Sequence, residues 1–115
     1  MQRKAELFLL DVLETARELQ AAVGDRTFEE YLSDPGLKRI VERLFYIIGE
    51  SVVQAAKLDP LVEPGITNYR QIVTFRNLLA HAYWRIDHRL VYGVFEGDLP
   101  LLISEVEALL GQPHD

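Results

Sequence analysis

The chain predicts an all-α fold, an antiparallel bundle of four main helices with a short extra helix. Three observations carry this expectation. Apolar residues recur at three- and four-residue steps through almost the whole sequence. No run alternates with period two for long, so strands are not expected. Helix start and stop residues fall between the periodic runs, at Gly24, Thr27, Asp34-Pro35 and Asp87. With 115 residues the chain is a single domain, 1–115, long enough to bury one core.

The elements follow in order. Leu9, Leu13, Ala16, Leu19 and Val23 share one helical face, which gives a first helix over residues 2–23 ended by Gly24. Thr27 with Glu30 three positions on forms a capping box and opens a short helix to about residue 32. Asp34 before Pro35 reads as an N-cap and first-turn proline, starting a long helix to about residue 58. Its apolar stripe is Leu37, Ile40, Val41, Leu44, Ile48, Val52 and Ala55. Residues 59–66 contain Pro60, Pro64 and Gly65 and are expected as a loop. Thr67 or Asn68 can cap the next helix, which runs to about residue 83 and buries Ile72, Val73, Phe75 and Leu79, with Leu78 a further candidate. Asp87 caps a helix through about residue 96, Gly97-Asp98 breaks it, and a terminal helix spans 99–110, closed by Gly111 and Pro113.

Composition narrows function. There is no cysteine, which excludes disulfides, thiolate zinc sites and Cys nucleophiles. The first residues carry Arg3, Lys4, Glu6 and Asp11, too much charge for a signal peptide, and no run approaches the ~20 apolar residues that span a bilayer. A cytoplasmic protein without membrane attachment is expected. The net charge of −6 argues against a general nucleic-acid-binding surface. Residues 70–89 nevertheless set four arginines, Arg70, Arg76, Arg85 and Arg89, against Asp87 alone, a local +3 that leaves −9 elsewhere. Such a focused basic cleft can attract a phosphate, or the arginines can pair with acids on a solvated face.

The stretch Arg76-Asn77-Leu78-Leu79-Ala80-His81-Ala82-Tyr83 places a guanidinium, an amide, an imidazole and a phenol within about two helical turns. A guanidinium holds phosphate bidentately, and imidazole exchanges protons near neutrality. On a continuous helix Arg76 and Tyr83, seven apart, share a face, and His81 lies one turn after Asn77 on its flank, so all four border one groove. Together they suggest RNA cleavage without a metal. Glu50 sits in an apolar helix, where an unpaired carboxylate is costly, so it faces the groove or meets a cation such as Arg76. His81 taken alone also fits a helix-terminal histidine favoured by the dipole. Asn77 and Tyr83 alone fit an exposed turn and a half-buried bundle end, and His88 an exposed first-turn position. Arg85 is a further candidate phosphate contact, and His114 belongs to the tail. Trp84, Tyr92 and Phe95 gather after the motif and either stack on bases or bury against the bundle or a second subunit.

The string RNLLAHAY followed by WRID resembles the signature of the HepT-like toxins of the HEPN ribonuclease superfamily: Arg, a polar residue, three more, His, one residue, Tyr. Thr27-Phe28-Glu29-Glu30-Tyr31-Leu32, Ile47-Ile48-Gly49-Glu50 and Asp98-Leu99-Pro100 are similar to that family's landmarks in the same order. The resemblance implies a HEPN-like bundle acting as a homodimer, with two motif helices meeting across a two-fold axis. It implies the toxin of a toxin–antitoxin pair, an endoribonuclease needing no metal and no cofactor. His81 would serve as base toward the ribose 2′-hydroxyl and as acid toward the leaving 5′-oxygen, yielding a 2′,3′-cyclic phosphate. Arg76 would stabilise charge on the phosphate, with Asn77 and Glu50 in support. Tyr83 would be the site where a nucleotidyltransferase antitoxin of the MNT type attaches adenylate. The substrate would be messenger or transfer RNA. The rival implication is a non-catalytic HEPN module that binds nucleotide, RNA or a nucleotidyltransferase, which the acidic net charge favours.

Overall fold

The computed structural model describes residues 1–111, with Tyr83 described for its backbone alone. Pro113 and His114 lie outside the described residues. Among those described there is no strand, and no helix is long and apolar enough to cross a membrane.

Helix α1 (Arg3–Val23) ends at Gly24, whose φ of 59° is a left-handed conformation that glycine adopts without a Cβ penalty. The Thr27–Glu30 capping box opens α2 (Phe28–Leu32), each side chain accepting the other's backbone N–H. Helix α3 (Pro35–Leu58) starts with Asp34 accepting from the Leu37 N–H at 3.0 Å. Leu9, Val12, Ala16, Leu19 and Val23 of α1 and Val41, Phe45, Ile48, Val52 and Ala55 of α3 are buried in one core. Two expectations along α3 change: Ile40 is 51% exposed, and Phe45 occupies the buried stripe while Leu44 is only half-buried.

Residues 59–66 are not a plain loop, because a short helical turn, α4 (Val62–Gly65), forms there. Buried Asp59 organises it, accepting from the Leu61 N–H through Oδ1 at 2.9 Å and from the Gln2 N–H through Oδ2 at 3.3 Å. Helix α5 (Tyr69–His81) follows Asn68 and stops two residues earlier than the periodicity predicts. Ala82, at φ −138°, leaves helical geometry, and residues Tyr83–Arg85 form a 3-10 turn. Ile72, Phe75 and Leu79 rest against the core, yet no α5 side chain is fully buried.

Asp87 caps α6 (His88–Gly93), accepting from the Arg89 and Leu90 N–H groups. The expected break at Gly97-Asp98 is absent. A π-helical turn (Val94–Asp98) carries the chain, with αR backbone at Val94, Asp98 and Leu99, straight into α7 (Leu99–Leu110). One wide turn absorbs the extra residue that periodicity presents as an interruption. Leu99, Leu102, Val106 and Leu109 of α7 complete the core, and Glu105 accepts from the backbone and hydroxyl of Thr67 to hold the chain entering α5.

Candidate active site

The motif residues are positioned by the crossing of α5 on α3, and Gly49 sets how close that crossing is. A Cβ built on Gly49 would stand 2.7 Å from Arg76 Cβ and 2.8 Å from its Cγ, so the arginine stem lies directly on the α3 backbone. From there the guanidinium reaches Glu50: Nη1 donates to Oε2 at 3.0 Å, while Gln54 donates to Oε1 of the same carboxylate at 2.9 Å. Arg76 is 22% and Glu50 35% exposed, so the pair sits at the edge of solvent. The Arg76 Nε is buried and has no hydrogen-bond partner in the structure. About two turns of α5 toward its start, burial and nearby Glu63 raise the Tyr69 phenol pKa, and Arg76 opposes the rise.

His81, the last residue of α5, is exposed. It borders an open depression of about 510 Å³ together with Leu79, Ala80 and, from α3, Arg39, Glu42, Arg43 and Tyr46. Arg43 lies over the Tyr46 ring at 5.5 Å from its centroid. Glu42, part of that lining, also has its Oε2 3.7 Å from Nδ1 of half-buried His88. Burial pushes the Glu42 pKa up, with His88, Lys38 and Arg39 opposing the shift.

The structure thus brings Arg76 and Glu50 together and places His81 elsewhere. Five residues along a helix is about 7.5 Å of rise and 140° of rotation, and Arg76 is not among the residues lining the His81 depression. Asn77 is exposed on the same flank as His81, one turn before it. Tyr83 belongs to the 3-10 turn beyond α5, so the seven-residue register with Arg76 does not apply to it. His88 is half-buried rather than exposed. Of the aromatic group, Tyr92 and Phe95 join Phe28 and Tyr31, Tyr92 Oη donating to the Arg26 carbonyl at 2.6 Å, while Trp84 is 69% exposed. Arg39, Glu42, Arg43 and Tyr46 escaped the sequence reading because they belong to α3, far from the motif. The i, i+4 spacing of Arg39 and Arg43 was the signal available.

A helical bundle with an Arg–Glu pair at a helix crossing and a histidine at the adjoining helix end defines a small HEPN-like domain. The HepT-like ribonuclease family model matches residues 12–109, and the chain belongs to that family. A Methanocaldococcus jannaschii protein named as a "Putative RNase" is 27% identical over 114 residues, covering 95% of this chain and 89% of its own. A second from the same organism, named likewise, is 28% identical over 106 residues, covering 92% and 96%. A Thermococcus cleftensis protein named as a "Probable ribonuclease HepT" is 28% identical over 109 residues, covering 95% and 98%. No solved structure matches the chain.

Proposed function

We propose that this chain is the toxin of a toxin–antitoxin pair, a metal-independent endoribonuclease of the cytoplasm whose catalytic groups are Arg76 and His81. The observation that carries it is the Arg76 guanidinium, seated on Gly49 and held by Glu50 at 3.0 Å at the edge of solvent, in a family of ribonucleases. An arginine oriented by one carboxylate still presents donors to a phosphate, and its charge offsets the negative charge that grows on the phosphoryl oxygens during attack. His81, exposed at the helix end, is free to take the 2′-hydroxyl proton and then to protonate the departing 5′-oxygen.

Since one chain does not place both groups in one depression, the working site is completed by a second copy, α5 to α5, with Asn77 at its border. An α5 whose Ile72, Phe75, Leu78 and Leu79 are all only partly buried supports this homodimer. Adenylate placed on Tyr83 by a nucleotidyltransferase partner would bring negative charge next to the motif and silence cleavage. The separation of Arg76 from His81 and the net charge of −6 favour a second reading, a binding module that cuts nothing.

Cleavage assays separate the two. His81→Ala and Arg76→Ala should each raise the barrier by on the order of 3–4 kcal/mol while leaving a folded protein of twice the 13.2 kDa chain mass. Chelator should change nothing, and Tyr83→Phe should resist adenylylation and silencing. Wild-type cleavage by His81→Ala, or activity that needs added magnesium, would remove the assignment. RNA bound but never cut by the wild type would select the binding module.

A further inference from the structure

Given the proposed RNA-cleaving function, on which this rests, we infer that Arg39 and Arg43 hold a backbone phosphate of single-stranded RNA next to the scissile one, in the depression whose opposite wall is His81. The two arginines are one helical turn apart on α3, both exposed and both lining that depression. The Arg43 guanidinium carbon lies 5.5 Å from the Tyr46 ring centroid, a cation–π contact that leaves its N–H groups available to phosphate oxygens. Glu42, between them in sequence, lines the same depression, with its Oε2 3.7 Å from Nδ1 of His88 on α6. Two guanidiniums against one engaged carboxylate give the lining a net +1 in a chain of net −6. A volume of about 510 Å³ is of the size that takes a nucleotide-scale group. A groove of similar volume between α5 and α6 has one arginine, Arg70, offset by Asp98 among Ile72, Phe75, Leu78, Leu90 and Val94, so its lining offers a phosphate no net charge. The strand would then enter over α3, one phosphate on Arg39 and Arg43, the next beside His81.

The test uses a short fluorescent single-stranded oligodeoxynucleotide, which lacks the 2′-hydroxyl and binds without being cut. Affinity is measured by anisotropy across a salt series. Arg39→Ala and Arg43→Ala combined should lower the log–log salt slope by about 0.7, the value for one phosphate, and weaken binding about tenfold at low salt. Arg43→Lys should keep the slope, and Lys57→Ala, the same charge lost at the far end of α3, should leave binding as in the wild type. An unchanged slope in the double alanine variant, an equal loss with Lys57→Ala, or a mononucleotide binding as tightly as the oligonucleotide would each overturn the inference. Arginine-dependent binding by a protein that leaves RNA uncut supports this subsite and sinks the nuclease instead.

Discussion

At position 49 a neighbour, not the local backbone, demands glycine. Gly49 is buried within α3 in ordinary helical geometry, where alanine would be favoured by about 1 kcal/mol, yet its missing Cβ is what lets Arg76 lie against the helix. The nearest atoms are the stem of Arg76, which cannot swing aside as a flexible tip would. Gly49→Ala should therefore push α5 off α3, lowering stability by about 1–3 kcal/mol and cleavage with it, as thermal unfolding and RNA assays would show. Glu42 offers a second test. Its folded carboxyl has a pKa above the ordinary 4.5 because burial disfavours the charge. The folded state therefore holds the proton more tightly than the unfolded chain, and the resulting stability is present below that ordinary value and lost as pH rises through the raised one. Glu42→Gln, which never ionises, should match the wild type in acid and melt at a higher temperature near neutral pH. A lower melting temperature for the variant at neutral pH would show that the His88 contact outweighs desolvation. The Arg76–Glu50 pair was legible in the sequence because the cost of a lone carboxylate constrains it, whereas the one groove expected for Arg76, Asn77, His81 and Tyr83 did not form, because α5 ends at His81. Arg39, Arg43 and Tyr46 were not legible, since only a tertiary crossing brings α3 to the end of α5.

At the level of elements, most boundaries written in side-chain chemistry were read correctly, although Asn68 precedes α5 without a side-chain cap and the Thr67 hydroxyl donates to Glu105 instead. The Thr27–Glu30 box, Asp34-Pro35, Asp87 and Gly24 all act as their residue types require. Boundaries set by backbone economy were not. Nothing between Leu79 and Tyr83 is a glycine or proline, so periodicity carries α5 onward, but Ala82 turns out of the helix. Pro60, Pro64 and Gly65 suggested a loop, yet proline is tolerated in a first turn and Asp59 supplies the acceptor that a short helix needs. Asp59→Ala should leave the Leu61 and Gln2 N–H groups without their acceptors, costing about 1–2 kcal/mol in a denaturant titration, and Asp59→Asn, whose one amide oxygen can accept from Leu61 while its NH2 cannot accept from Gln2, should recover only part of it. Equal losses in both variants would mean that the charge, not the cap, holds this junction. Gly97-Asp98 misled for a related reason: a break and a π-helical turn both interrupt the 3.6-residue pattern, and only the backbone distinguishes them.

Across the whole molecule, 49 × 28 × 19 Å, the core is shared by α1, α3 and α7. Helix α5 leans on one side of it with every side chain at least partly open. The fold class was readable from periodicity because all four main helices alternate faces. The half-open state of α5 was not, since a stripe left partly open has the same spacing as one buried in the chain's own core. An element held by so little buried area opens locally at a free energy well below that of global unfolding, so its amides report on whatever covers it. In hydrogen exchange, those of Tyr69–His81 should be the first helical amides to lose protection in dilute protein, ahead of α1 and α3. Raising the protein concentration through the dimerisation range should slow exchange in α5 selectively, because association stabilises only the covered form. Exchange that stays fast in α5 at every concentration would leave that face to a different partner.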